Sequence, residues 1–225
     1  MTTATAIRTL SGPQVLRPKQ LKALLAAPDK RTRRGRRDAA LIAVLGCGGL
    51  RLGEATHLLV ENVEMSGDTP RPNQGDTPCN PRQGGPAPSR VRITTRTAKS
   101  RGLRFRTITL PGIGAKALRD HLAHSQPRLF VFEGRRREAL STRQAGRIVR
   151  YYLAKIGRSD LRPHSLRHSV GAIVTRQSGV WVSQKVLGHA SPTTTSRFYS
   201  AFDVTDSDAA AARAPTDRRI RAAMQ

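Results

Sequence analysis

The chain has 225 residues, which allows one large domain or two small ones. It carries 40 Lys+Arg against 15 Asp+Glu, a formal net charge of +25, so it favours a polyanionic partner: nucleic acid first, an anionic membrane surface as the other reading. No apolar run approaches the roughly 18 residues of a membrane span, and the N-terminus lacks the apolar core of a signal peptide, so no membrane partner and a cytoplasmic, nucleoid-associated location are expected.

Aromatic residues are few: five Phe, three Tyr and one Trp. That argues against rows of stacked bases and for duplex DNA held through its phosphates. The core has to come from Leu, Val, Ile and Ala, which suits helices. Two cysteines, Cys47 and Cys79, are too few for a metal cluster, and no secretion signal favours a disulfide.

Residues 1–15 read as a loose leader. Pro18 opens a helix with Leu21, Leu24 and Leu25 on one face. Arg31 to Arg37 is a basic run; Arg34, Arg36 and Arg37 are candidate phosphate contacts, with a solvated basic surface as the even alternative. Asp38 to Leu45 is almost wholly apolar and predicts a buried helix, broken by Gly46, Gly48 and Gly49. A second helix is expected from Arg51 through Ala55, Leu58 and Leu59. Arg51 would then stand at a helix N-terminus, where backbone N–H groups also favour an anion.

The stretch 65–89 is rich in Gly, Pro, Asn and Asp and predicts a long surface loop. Beyond it, Val91, Ile93 and Thr95 alternate with Arg92, Thr94 and Arg96, and Phe105, Thr107 and Thr109 alternate with Arg106, Ile108 and Leu110. Together they predict a basic hairpin with Lys99 near its tip. Helices follow over 113–124, from the Ser141-Thr142-Arg143-Gln144 capping box, from Pro163 to about Thr175, and over Val180–Leu187, stopped by Gly188. Another is expected from Ser191 and Pro192 to beyond Tyr199. The expected fold is α+β and mainly helical, with a small antiparallel β-sheet.

Three groups suggest chemistry on a phosphodiester. His164 and Arg167 lie three apart on one helix and project from the same face. Arg51 offers a second guanidinium, whose planar fork matches two phosphate oxygens. Preorganised donors of this kind are worth about 3 kcal/mol each in a transition state. A two-metal carboxylate site finds no acidic pair near these residues, and His164 with His168 lacks the Glu or Cys partner of a zinc site. His168 reads as a packing or locally capping residue, and no metal or other cofactor is expected. Tyr199 is then the candidate nucleophile, since a phenolate can attack phosphorus and leave a covalent ester. Tyr151 and Tyr152 sit among apolar helical neighbours, and at least one of them belongs to the core.

The Gly-Leu-Arg-Leu-Gly-Glu stretch at 49–54, His-Ser-Leu-Arg-His-Ser at 164–169 and Leu-Gly-His at 187–189, followed by Tyr199, resemble the catalytic domain of the tyrosine recombinases, the phage integrase family. The resemblance covers roughly residues 15–202 and is specific through the order and spacing of the set. It implies the catalytic-domain fold over 16–202, with 65–89 as a loop insertion and 203–225 as a tail. It also implies that Arg51 and Arg167 hold the scissile phosphate, and that Lys99 protonates the leaving 5′-oxygen. His164 would assist at Tyr199 or orient the phosphate, and His189 would donate to a phosphate oxygen. Tyr199 would form a 3′-phosphotyrosyl link. Glu54 would buttress the site, or else be a first-turn helix charge. Lys99 is the only lysine between Lys30 and Lys116; Arg96 and Arg101 beside it stay protonated and read as DNA contacts instead.

The resemblance further implies double-stranded DNA as partner and a homotetramer on two sites, with the 203–225 tail either passed to a neighbour or frayed. It implies a short member, lacking the helical clamp that usually precedes the catalytic domain. Ten positions separate His189 from Tyr199, where many members have nine; Phe198 occupies the shorter register and has no hydroxyl. The function expected is site-specific recombination (integration, excision or inversion) without metal or ATP. The alternatives are a type IB topoisomerase-like nicking and resealing enzyme, or a DNA-binding protein with weak or lost catalysis.

Overall fold

A computed structural model describes residues 15–65, 91–96, 105–134 and 136–188. The first helix, α1 (Pro18–Ala26), has Pro18 in its first turn and buries Leu24 and Leu25, as its apolar spacing predicts. The second, α2 (Arg33–Gly46), starts earlier than its apolar segment. Thr32 caps it by accepting from the Gly35 amide at 3.0 Å, so the basic run forms the first turns of a helix whose remainder, Asp38 through Gly46, is buried. This helix is the central member of the bundle. It packs against α1, against α4 (Gly112–Ser125) and against α6 (Pro163–Leu187). Gly114 of α4 lies where an added Cβ would stand 3.3 Å from the Cys47 Cβ, so the two helices approach closely.

The next helix, α3 (Leu52–Thr56), is shorter than the sequence suggests. His57 ends it, and Leu58 and Leu59 continue as extended chain. The reason is tertiary: Leu59 bridges Phe130, and the Val131 amide donates to the Leu58 carbonyl at 2.8 Å. Leu58 still reaches the core, but from a strand-like segment.

A short 3₁₀ turn, Val60–Asn62, leads into β1 (Val63–Met65), a strand that the sequence reading does not anticipate. It forms one edge of a three-stranded antiparallel sheet in the order β1–β2–β3, with β2 (Val91–Arg96) and β3 (Phe105–Leu110) paired from Val91↔Leu110 to Arg96↔Phe105. The hairpin expected at 91–110 is therefore present, although its turn, with Lys99 and Arg101, lies outside the described residues. Arg106, Ile108 and Leu110 face inward, while Phe105, Thr107 and Thr109 are exposed.

α5 (Thr142–Lys155) begins where the capping motif predicts, with the Ser141 hydroxyl accepting from the Gln144 amide at 3.3 Å. Tyr152 on this helix is buried and donates its hydroxyl to Asp38 at 3.3 Å; Tyr151 is exposed. The helix α6 is two helices in sequence, as expected, interrupted at Gly179 (φ 83°, ψ 168°) and ended by Gly188 at φ 63°. Residues 1–14, 66–90 and 189–225 lie outside the description, so the leader, the loop at 65–89 beyond its first residue, the helix around Tyr199 and the tail remain sequence expectations.

Candidate phosphodiester site

The Gly49 turn between α2 and α3 is the frame of the site. Gly49 takes φ +64°, a conformation that side-chain-bearing residues rarely adopt, and an added Cβ would stand 3.0 Å from Leu187 and 3.2 Å from Val170. The turn can therefore press directly onto both parts of α6. It delivers Arg51 to the N-cap of α3, one-quarter exposed at its side chain.

Glu54 organises Arg51 from below. Its Oε2 accepts the Arg51 backbone amide at 2.8 Å, and its Oε1 accepts Nη1 of Arg51 at 2.7 Å. The carboxylate is almost fully buried. Burial pushes its pKa up, but the charge of Arg106 and the hydrogen bonds and charge of Arg51 outweigh burial and hold it below the ordinary carboxylate value. The two readings of Glu54 coincide: it is a first-turn helix charge and it also fixes the guanidinium.

Arg167, in the first turns of α6, is 3 % exposed. Its Nη1 donates to the Gly49 carbonyl at 2.5 Å and its Nη2 to the Leu187 carbonyl. One guanidinium thus joins the turn before Arg51 to the end of α6, immediately before Gly188 and His189. His164 stands exposed one turn earlier, with its ring edge-on to His168 at 4.5 Å between centroids. Burial, followed by the charges of His164 and Arg167, pulls His168 down to about 4, so at neutral pH it packs as an uncharged ring. That agrees with its reading as a packing residue.

Of the expected site residues, Arg51, Glu54 and Arg167 belong to this frame, and His164 stands exposed on α6 one turn before Arg167. Lys99, Arg101, His189 and Tyr199 lie outside the described residues, and Arg96 is described only as the last residue of β2, opposite Phe105. The residue the sequence reading misses is Arg106. Its Nη2 donates to Glu54 Oε2 at 2.7 Å and its Nη1 to the Val186 carbonyl at 2.9 Å. The available signal was its register: an arginine on the inward face of a strand, in line with Ile108 and Leu110. Arg51 and Arg106 thus share the single Glu54 carboxylate, two guanidiniums on one anion, which leaves a surplus of positive charge.

A second basic feature lies at the other end of α2. Arg33, Arg34 and Arg37 line a cleft of about 850 Å³ together with Arg137, Gln144 and Arg147, and Glu133 is its only carboxylate. Arg37 also pairs with the buried Asp38 at 2.8 Å. Arg36 turns away, donating to the Lys30 and Arg31 carbonyls at 2.9 and 3.1 Å. Among the described residues, no cluster of three His, Cys, Asp or Glu could hold a metal, and no helix is long and apolar enough to cross a membrane. Burial raises the Cys47 thiol to about 11, which leaves it a poor nucleophile.

Residues 14–204 match the model of the phage integrase family. The chain belongs to that family. It is 28 % identical over 191 residues to the tyrosine recombinase XerD of Neisseria meningitidis serogroup B, covering 81 % of this chain and 57 % of that one. It is 26 % identical over 190 residues to the tyrosine recombinase XerC of Pelotomaculum thermopropionicum, covering 79 % of this chain and 54 % of that one. The chain thus spans little more than half the length of these relatives. Among solved structures it resembles XerA recombinase (TM-score 0.63, 24 % identity, 87 % of this chain and 62 % of that one). It also resembles XerH site-specific recombinase bound to palindromic difH substrate in a post-cleavage complex (TM-score 0.66, 21 % identity, 89 % and 53 %). The fold of this phage integrase family member is the mainly helical tyrosine recombinase catalytic fold with its small antiparallel sheet.

Proposed function

We propose that this chain is a site-specific DNA recombinase, cutting and rejoining duplex DNA through a 3′-phosphotyrosyl intermediate on Tyr199 without metal or ATP. The observation that carries the reading is the joint anchoring of Arg51 and Arg167 on the Gly49 turn, with Glu54 fixing the first and two backbone carbonyls fixing the second. Cations held in place before the substrate arrives need no reorganisation as charge builds on a pentacovalent phosphorus.

In this reading the two guanidiniums bind the non-bridging oxygens, and the Tyr199 oxygen attacks phosphorus. The 5′-oxygen leaves with a proton from Lys99, while His164 and His189 assist at the nucleophile and the phosphate. Attack by a 5′-hydroxyl of another strand reverses the step, so bond energy is conserved in the tyrosyl ester. Duplex DNA is the proposed partner and a homotetramer on two sites the proposed assembly. A λ integrase dimer bound to a COC′ core site is among the similar structures (TM-score 0.57). The basic cleft between the start of α2 and α5 would take further DNA backbone. Arg34 stands 12 residues, about 18 Å, before Gly46 along α2, whereas Arg147 follows Gly146, where an added Cβ would lie 3.5 Å from Leu52 of α3.

The test is a nicked suicide substrate incubated with protein and EDTA, then run on a denaturing gel. The wild type is expected to give a covalent protein–DNA band and Tyr199→Phe none. A band from Tyr199→Phe, or a strict need for Mg²⁺, would overturn the reading. Plasmid relaxation without recombinant product would favour a topoisomerase-like activity, and duplex binding without any adduct a DNA-binding role alone.

A further inference from the structure

Arg106 is an unusual residue for its place. It sits on the inward face of β3 in register with Ile108 and Leu110, its side chain 7 % exposed. Among the described residues its buried Nε meets no acceptor. A buried ion pair of this kind is weak as a stability device, since an apolar residue of similar volume often serves the fold as well. Its contacts point elsewhere. Through Glu54 it reaches Arg51, because the oxygen that accepts from Arg106 at 2.7 Å also accepts the Arg51 amide at 2.8 Å. Through the Val186 carbonyl, at 2.9 Å, it reaches the chain three residues before His189.

We propose that Arg106 is a positioning residue: it sets the Arg51–Glu54 pair and the C-terminal end of α6 relative to each other, so that groups on α3 and groups following α6 meet one phosphate. The proposal rests on the recombinase reading for its consequence, but not for its geometry. The two acceptors belong to different elements, and one planar fork spans both. An ammonium is a point charge without that fork, so lysine restores the charge and not the bridge. Arg167 makes a parallel link from Gly49 to Leu187, so Arg106 and Arg167 grip adjacent carbonyls at the end of α6 from two sides.

The test uses Arg106→Met, which keeps a long unbranched apolar stem, and Arg106→Lys. Amide hydrogen exchange is followed in peptides covering 49–56, 183–188 and, as an internal control, 39–45 of α2. Single-turnover cleavage of the suicide substrate and duplex affinity are measured alongside. In Arg106→Met, exchange should rise about tenfold in the first two peptides and stay unchanged in the third. Cleavage should slow by about 10- to 100-fold, as expected for a misplacement of about an ångström, with duplex affinity within about twofold. Arg106→Lys should stay slow. Unchanged exchange at 49–56 and 183–188 overturns the proposal, as does a uniform rise that includes α2, which would make Arg106 a general stability residue. Full recovery of the rate with lysine overturns the two-acceptor bridge. If the wild type forms no adduct, the recombinase reading fails by itself and the exchange pattern still decides the positioning.

Discussion

The Arg167 guanidinium donates to the carbonyl of Gly49, 118 positions earlier in the chain, at 2.5 Å, and it does so while also holding Leu187. The residue proposed to bind phosphate is therefore also a tie between α6 and the turn that presents Arg51. Arg167→Lys keeps the charge but offers one nitrogen to two carbonyls on separate elements. Leaving one buried carbonyl short of its donor should cost about 1–3 kcal/mol of folding stability. Urea unfolding at neutral pH checks this; an unchanged midpoint with an unchanged slope would show that the two carbonyls do not depend on the guanidinium.

Gly49→Ala tests the turn itself. The new methyl would meet Leu187 at 3.0 Å and Val170 at 3.2 Å, on a backbone whose φ of +64° already disfavours a side chain. Strain and overpacking together should lower stability by about 1–3 kcal/mol. The melting temperature should fall, and the loss should be larger than for Gly53→Ala, because Gly53 has open space around its Cβ position. Equal losses for the two variants would contradict the close packing of the turn on α6.

Much of this fold was legible because its elements carry local signals. Pro18, Ser141 and Pro163 start helices, Gly188 stops one, and the alternation at 91–96 and 105–110 gives the two long strands. What escaped was decided at long range. Leu58 and Leu59 have helix-compatible side chains, yet backbone bonds to the 130–131 segment pull them straight. The three residues of β1 are too few to show alternation, and their pairing with β2 makes them a strand. In the site, Arg51, His164 and Arg167 were candidates from residue type and spacing, and Glu54 came only with the family resemblance. Arg106 was not, because its partners lie 52 and 80 positions away and only the fold brings them to it.

His168 gives a pH dependence with a definite sign. Its folded pKa is drawn down to about 4, below the ordinary value of 6.5, so the unfolded chain binds the proton more readily. Stability from this source is complete above about pH 6.5 and is lost as pH falls from there towards 4. The ring is only partly buried, so the loss at pH 5 is expected to be of order 1 kcal/mol after screening by solvent. Denaturant unfolding at pH 7 and pH 5 for the wild type and His168→Gln should show a smaller drop in the variant. Parallel drops would mean that His168 keeps an ordinary pKa in the fold.

The cleft at the start of α2 predicts a salt signature. Arg34 and Arg147 both line it, and both side chains are exposed rather than buried in the core. If each neutralises one phosphate, binding of duplex DNA should lose about 0.9 from its log–log salt slope per residue removed, and about 1.8 in Arg34→Gln/Arg147→Gln. Affinity should fall to a similar degree across unrelated sequences, since phosphate contacts carry no base information. Arg34 lies at the opposite end of α2 from the Gly49 turn, so single-turnover cleavage at saturating DNA should change little in Arg34→Gln alone. Fluorescence anisotropy between 50 and 200 mM salt, where the dependence is large, measures the slope. A slope equal to that of the wild type would place the duplex elsewhere on the surface.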